Sequence, residues 1–483
     1  MSVELGGLPN SWSWVSLKDV LSEPLINGRS VKTMGGGFPV LRLTAIKDGR
    51  IDLAESKEGA WTHEQAQPFL VHEADFLLSR GNGSKRLVGR GGLVGNVGSP
   101  IAFPDTMIRV RLNAGLISSS YFCLLWDSPH VRTQIEAKAR TTAGIYKVNQ
   151  ALLEAVGLPL PPLAEQHRIV EALEEQLSRL DAAEKNVREV LKRMSRLLDQ
   201  ATDFTGYVSL RPDEPAAQAP PVANSVDGEL PRIPSDWRWM RLGDLAEVVG
   251  GVTKDKKKQS DPDIPEVPYL RVANVQRGHL ELDHITMIRV PQKKADQLRL
   301  KAGDVLMNEG GDRDKLGRGW VWEGQIPGAI HQNHVFRARI HGDLLKPELL
   351  SWFANGAAKW FEVNGKQSTN LASISLTKIK DLPVPVPPQA EQQSIVERIE
   401  ERLAQLRHAR QTSEQVLRRG KALRNALLRK AFGGGLVHQD EHDEPAAEML
   451  ARITAERAAQ STARRARRAT VKPPHQAAAP EPT

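Results

Sequence analysis

A proline stop followed by a long apolar ladder occurs twice in this chain, and no single compact domain accommodates both copies. The first opens at Leu158-Pro159-Leu160-Pro161-Pro162, where fixed φ angles and missing N–H groups end whatever element precedes them. Beyond Glu165-Gln166, Leu173, Leu177, Leu180, Val187, Leu191, Met194 and Leu198 recur at alternating steps of four and three, interrupted by Glu184. That spacing places one narrow apolar stripe on a helix, as in the seam of a coiled coil. About 40 helical residues would make a rod of roughly 60 Å, too long for an ordinary helix of a compact domain.

The second copy comes 226 positions later. Pro385-Val386-Pro387-Pro388-Gln389-Ala390-Glu391-Gln392 repeats Pro159-Leu160-Pro161-Pro162-Leu163-Ala164-Glu165-Gln166, and Ile395, Val396, Ile399, Leu403 and Leu406 stand where Ile169, Val170, Leu173, Leu177 and Leu180 stood. Its ladder is poorer, with Arg410 and Ser413 at the places of Glu184 and Val187, and it resumes through Val416, Leu423 and Leu427 after a phase shift near Gly420. Neither stripe keeps a helix folded in water alone, so the two rods are expected to pair.

The region preceding each rod is duplicated too. Pro9-Asn10-Ser11-Trp12-Ser13-Trp14 matches Pro234-Ser235-Asp236-Trp237-Arg238-Trp239, Asp75-Phe76-Leu77 matches Asp304-Val305-Leu306, and Ile108-Arg109-Val110-Arg111-Leu112 matches Phe336-Arg337-Ala338-Arg339-Ile340. Short alternating runs at Val40 to Leu43, Asp75 to Leu78 and Ile108 to Leu112 predict strands between glycine loops, and Ser119 to Ala139 and Lys346 to Val363 have helical spacing. The expected class is α+β, with two duplicated mixed domains at residues 1–160 and 232–387. Long helices come next at 161–204 and 388–432, with a proline-rich linker at 205–231 and a disordered basic tail at 440–483, which contains Arg464-Arg465-Ala466-Arg467-Arg468.

Composition narrows the partners. With 40% hydrophobic residues among 483, the chain has enough apolar material for real cores. It shows no apolar run long enough to span a bilayer and no signal-peptide pattern at its start. One cysteine, Cys123, excludes an internal disulfide and a cysteine metal site and suits the reducing cytoplasm. The net charge of +8 favours a polyanionic partner.

Catalytic motifs are missing: no amino-methyltransferase box, no intact phosphate loop and no nucleophile elbow is found. Gly81-Asn82-Gly83-Ser84-Lys85 lacks the spacing of a phosphate loop. His438 and His442, four apart, read as solvated residues, so no metal site and no catalytic residue is expected. Trp12, Trp14, Trp237 and Trp239 read as clamps of a domain edge rather than stacking platforms for bases.

Basic, amide and hydroxyl residues instead gather in glycine loops at matching places. The first domain offers Arg80, Asn82, Ser84, Lys85, Arg86 and Arg90, then Arg140, Thr141, Thr142 and Lys147; the second offers Arg313, Lys315 and Arg318, then Lys366, Gln367, Thr369 and Asn370. Glycine lets a backbone approach DNA, cations reach phosphate or guanine, and amides pair with adenine. Lys254-Asp255-Lys256-Lys257-Lys258 reads as a solvated turn. From the residues alone, a non-catalytic sequence-specific DNA-binding regulator and a coiled-coil scaffold without DNA binding stay open.

Two divergent domains, each closed by Pro-Pro-x-x-Glu-Gln and a long helix, resemble the specificity subunit of type I DNA restriction-modification systems. The resemblance covers residues 1 to 440 and rests on the two proline motifs with Ile169-Val170 and Ile395-Val396, and on Leu428-Arg429-Lys430-Ala431-Phe432 at the end of the second rod. The first rod departs from that ending at Ala201-Thr202-Asp203-Phe204, and the tail after Asp440 lies outside the pattern. The resemblance implies two target-recognition domains, each reading half of a split site in double-stranded DNA, held apart by an antiparallel helix pair. It implies two methyltransferase subunits carrying S-adenosylmethionine, and restriction subunits using ATP and Mg, with this chain binding no cofactor itself. The helix-pair interface would draw on Leu173, Leu177, Leu180, Glu184, Val187 and Leu191 and on Ile399, Leu403, Leu406 and Arg410. Antiparallel pairing is expected to join Glu184 to Arg410 as an ion pair that fixes register.

Overall fold

The computed structural model describes residues 7–142, 144–207, 214–311, 316–367 and 372–470. They divide into two units, Met1–Asn186 with Val416–Thr483, and Val187–Gln415. The architecture is α+β, and each unit holds one copy of the same mixed domain.

In the first unit a six-stranded sheet has the order Ile26–Asn27, Met107–Val110, Phe76–Ser79, Gly91–Leu93, Arg50–Ile51, Ile46–Lys47. Neighbours are antiparallel except for one parallel pair, Arg50–Ile51 with Gly91–Leu93. The second and third strands, Met107–Val110 and Phe76–Ser79, are buried along their whole length because successive side chains enter different cores. Phe76, Leu78, Ile108 and Val110 face the larger core, while Leu77 and Met107 face a smaller one. The second unit repeats the pattern in a four-stranded sheet, with Val305, Met307, Phe336 and Ala338 on one side and Leu306 and Val335 on the other.

The helical stretch expected from Ser119 to Ala139 is two helices, Ser119–Trp126 and Pro129–Lys138. Pro129 has no N–H to continue the first helix but is well placed to start the second. In the second unit the corresponding pair is Pro347–Gly356 and Ala358–Asn364.

Both sheets are closed by the same ionic arrangement. The guanidinium of Arg111 forks onto buried Asp75 at 2.6 and 2.8 Å and donates to Glu23 at 2.8 Å, and Arg109 donates to Glu23 at 3.2 Å. In the twin, Arg339 forks onto buried Asp304 at 2.7 and 2.7 Å, and Arg337 donates to Glu247 at 2.7 Å. Two-pronged geometry of this kind gives a charge pair direction as well as energy.

The proline motif works as a clasp. Ser13–Ser16 pairs antiparallel with Gly157–Leu160, and Arg238–Arg241 with Pro383–Val386. Prolines are tolerated there because each ladder has two strands and hence open edges. The indole N–H of Trp12 donates to Glu165 at 3.0 Å, and that of Trp237 to Glu391 at 3.2 Å. The amide of Gln166 donates to Leu116 O and Pro161 O and accepts from Ser118 N–H; Gln392 does the same with Leu344 O, Pro387 O and Lys346 N–H. Trp12, Trp237 and Trp239 are buried, whereas Trp14 is 41% exposed.

The long helices run Leu163–Ala201 and Gln389–Phe432. Within the first unit, the start of one packs antiparallel on the end of the other. Leu173 and Leu177 share a core with Leu428, Ala431 and Phe432, Arg424 bonds Asp181, and Glu184 and Leu180 lie over Gly420. Within the second unit, Leu198 and Ala201 pack in the core that holds Ile399, Leu403 and Leu406. Val187 and Leu191 are half-buried.

Three expectations need correction. Glu184 faces Gly420, and Arg410 bonds Glu414 one turn along its own helix at 3.0 Å. Residues at equivalent places in two repeats face each other in an antiparallel pair only at its midpoint, because one index falls as the other rises, and Glu184 and Arg410 lie off that midpoint. Val416 and Leu423 are exposed, the packing face passing instead through Gly420 and Leu428. The tail is not disordered throughout: Ala446–Thr470 is a helix, docked by buried Ala446, Met449 and Ile453. Further bonds join Ala446 N–H to Ser11 O at 2.9 Å, Arg457 to Leu21 O at 2.7 Å and Arg168 to Asp443 at 2.6 Å. Residues 471–483 lie outside the described residues.

The stretch expected as a linker is docked on the second unit where it is described. Phe204, just before it, enters the core, and Thr205 is buried. Arg241 donates to Pro221 O and Asp227, and the indole of Trp360 also donates to Asp227, at 3.3 Å. An extended chain leaves its carbonyls unpaired, and Arg241 supplies donors for one of them.

Candidate nucleic-acid interface

The two basic clusters of the first domain, some 60 residues apart in sequence, form one structure. Arg140–Thr142 and Ile145–Lys147 make a hairpin, and Gly81–Asn82 adds to its second strand. The register opposes Arg140 to Lys147, Thr141 to Tyr146, Tyr146 to Asn82 and Lys147 to Gly81. This three-stranded finger continues directly from Phe76–Ser79, so it is carried on a fully buried strand. Such a base holds a reading surface more precisely than a free loop would.

The second unit builds the same finger from Lys366–Gln367, Ala372–Ser373 and Gly310–Gly311. Lys366 opposes Ser373, Gln367 opposes Ala372, and Gly310 and Gly311 pair on the other side. Arg313, Lys315, Thr369 and Asn370 lie outside the described residues. Arg318 is half-buried beside Gly319, where a side chain would strike the carbonyl of Leu306 at 1.7 Å.

In the first finger Arg80, Arg140, Thr141 and Lys147 are exposed, and Thr142 completes its strand. The side-chain oxygen of Asn82 accepts from Ser84 N–H at 2.9 Å, fixing the turn that leads into Lys85 and Arg86. That turn is held from beneath. Trp126 donates to Gly89 O at 2.8 Å, and Arg132 donates to Val88 O at 2.8 Å and Arg86 O at 3.2 Å. Arg90 donates to Arg86 O at 3.1 Å, which makes it part of the support. Burial holds the carboxyl of Asp127 above its ordinary range against the pull of Arg90 and Arg132, and burial lowers the pKa of Arg132. Gly81-Asn82-Gly83-Ser84-Lys85 is therefore strand and turn, not a loop entering a helix.

Among the described residues, Arg80, Lys85, Arg86, Arg140 and Lys147 form no ion pair. Five exposed cations without counter-charges, beside glycines that let backbone come close, suit a polyanion with readable edges. Two neighbours lie outside the set expected from sequence. Tyr146 is half-buried against Asn82, and Ile145 is 45% exposed at the hairpin end. The supporting roles of Trp126 and Arg132 carry no sequence signal, since both lie in ordinary helical segments.

His438 and His442 lie outside helices, and His442 bonds exposed Asp440 at 2.9 Å. Among the described residues no group of three or more His, Cys, Asp or Glu is placed to hold a metal, and no helix is long and apolar enough to cross a membrane.

The family model of the type I restriction modification DNA specificity domain matches residues 9–193 and again residues 234–418. The type I restriction enzyme StySPI specificity subunit of Salmonella potsdam is 24% identical over 481 residues, spanning 94% of this chain and 96% of that protein. The EcoKI specificity subunit of Escherichia coli K12 is also 24% identical over 481 residues, spanning 94% and 97%. A chain from a structure on complex assembly and conformational transition of the type I R-M system superposes with a TM-score of 0.66 at 21% identity, covering 89% of this chain and 99% of that one. For the HsdS subunit from Thermoanaerobacter tengcongensis the TM-score is 0.53 at 20% identity, covering 90% and 100%. The two superpositions establish a shared fold.

Proposed function

The chain belongs to the type I restriction modification DNA specificity family, and from that premise we propose that it reads a bipartite site in double-stranded DNA and aims the chemistry of partner subunits at it. Each unit reads one half-site with its own finger. The observation that carries this is the duplicated three-stranded finger, rooted on a buried strand in both units and bearing five cations in the first that form no ion pair among the described residues. A scaffold without DNA binding has no use for that arrangement.

Two methyltransferase subunits holding S-adenosylmethionine transfer methyl groups to adenine, and restriction subunits using ATP and Mg cleave DNA. This chain performs no step of either reaction. Its contribution is recognition: phosphate contacts set register, and finger side chains at base edges set sequence. Divergent finger sequences, Arg140-Thr141 against Lys366-Gln367, then select different half-sites.

Mapping methylated adenines in the host genome, with and without the gene, tests the reading. One bipartite motif should vanish on deletion. Replacing residues 1–157 by another such domain should change one half of the motif and leave the other. An unaltered methylation map on deletion, or both halves changing together, would overturn the proposal.

A further inference from the structure

The segment that leaves the edge strand of each sheet emerges beside the finger. In the first unit Asn27 pairs with Ile108 and Gly28 N–H donates to Met107 O at 3.1 Å; Met107 pairs across with Ser79, and Arg80 N–H donates to Thr106 O. Gly28 and the root of the finger are thus at one end of the sheet, separated by a single strand. In the second unit Gly250 pairs with Phe336, Phe336 with Met307, and Glu309 N–H donates to His334 O just before Gly310. Glycine is required at the exit in both. A side chain at Gly28 would lie 2.0 Å from Pro104 O, and one at Gly251 2.0 Å from His331 O.

Basic, exposed residues come directly after each of these glycines: Arg29 and Lys32 in the first unit, Lys254, Lys256, Lys257 and Lys258 in the second. The lysine segment is pinned at both ends. Val252 O accepts from the hydroxyl of Tyr269 at 2.8 Å, and Gln259 exchanges two hydrogen bonds with the backbone of Arg289 at 3.0 and 3.1 Å. Asp255 lies 3.6 Å from Lys258, while Lys254, Lys256 and Lys257 form no ion pair among the described residues. Holding like charges together costs stability unless an anion relieves them. Two strand spacings put the start of this segment, at the exit glycine, ~10 Å from the root of its finger, and the major groove of DNA is about 12 Å wide. A finger at the groove floor therefore sets the segment against the phosphates that line it.

Building on the DNA-reading function, we infer that Arg29 and Lys32 in one unit, and the lysines from Lys254 to Lys258 in the other, grip backbone phosphates flanking the groove each finger enters. They add affinity without adding sequence preference.

The test uses the full chain with the subunits that accompany it. One fluorescent duplex carries the site found by methylation mapping and a second of equal length is scrambled, each titrated from 50 to 300 mM KCl. K256Q/K257Q/K258Q should reduce the slope of log affinity against log salt by about 1 for each phosphate that is no longer neutralised. It should leave the ratio between the two duplexes unchanged, and R29Q/K32Q should act likewise. An unchanged slope in both variants would overturn the inference, as would a variant that alters which base pairs are preferred. Wild type binding both duplexes equally would instead overturn the sequence-reading function, and the slopes, which need no specificity, would still decide the phosphate contacts.

Discussion

Trp12 and Glu165, 153 positions apart, are joined by one hydrogen bond of 3.0 Å from indole N–H to carboxylate. The carboxylate is buried, and its Oε1 has no hydrogen-bond partner among the described residues. Trp12→Phe should destabilise the first unit by about 2 to 3 kcal/mol, because it removes the hydrogen bond that this buried group does have. A denaturation midpoint equal to wild type would refute the clasp.

The same carboxyl gives a pH signature. Burial holds its pKa above the ordinary range, with the Trp12 hydrogen bond opposing. The native state therefore binds this proton more tightly than the unfolded chain, so its stabilising effect is present in acid and is lost as pH rises through the raised value. Glu165→Gln does not titrate, and its stability relative to wild type should improve between pH 4 and pH 7.5. Parallel stability curves for the two proteins would show that ionisation of Glu165 is not coupled to folding.

Asp75 and Asp304 close their own sheets with Arg111 and Arg339, so their effects should stay local. Asp75→Asn leaves Arg111 in a partly buried site and should cost about 3 kcal/mol. Hydrogen exchange should accelerate in Phe76–Ser79 and Met107–Val110 but not in Asp304–Asn308. Asp304→Asn should do the reverse.

Gly420 sits inside a 44-residue helix with Glu184 across from it. An alanine methyl would lie 3.2 Å from Glu184 Oε1 and 3.7 Å from Leu180. The carboxylate is the end of a flexible chain and can give way. Helix propensity should then win, making Gly420→Ala more stable by roughly 0.5 to 1 kcal/mol. Gly420→Leu should instead lower the melting temperature, and a gain there would mean the helices are not packed at this point.

Met449 and Ile453 dock the last helix on the first unit. Met449→Ala should cost about 2 to 4 kcal/mol and open the chain after Pro445 to limited proteolysis. Resistance equal to wild type would show that the helix contributes nothing to the fold.

The clasp is legible in sequence because its parts are local: prolines that stop a strand, then Glu and Gln at the first turn of a helix. The finger is half legible. Its clusters stand out as basic glycine stretches, but joining Gly81 to Lys147 depends on strand register, which neither stretch encodes alone. The last helix hides because its alanines and arginines resemble a solvated tail. Ala446, Met449 and Ile453 nevertheless keep the spacing of three and four that marks a buried face. Glu184 and Arg410 share a repeat position, which says where residues correspond and not where they meet.

The first unit is made of Met1–Asn186 and Val416–Thr483, with the continuous second unit Val187–Gln415 between them in sequence. Domains ordinarily fold in order of synthesis, at roughly 5 to 20 residues per second. Here that order is inverted. Leu173 and Leu177 leave the ribosome early but must wait, for roughly 12 to 60 seconds at that rate, until Leu428, Phe432 and Met449 arrive to cover them. A nascent chain halted before Val416 would carry a finished second unit and an unfinished first one.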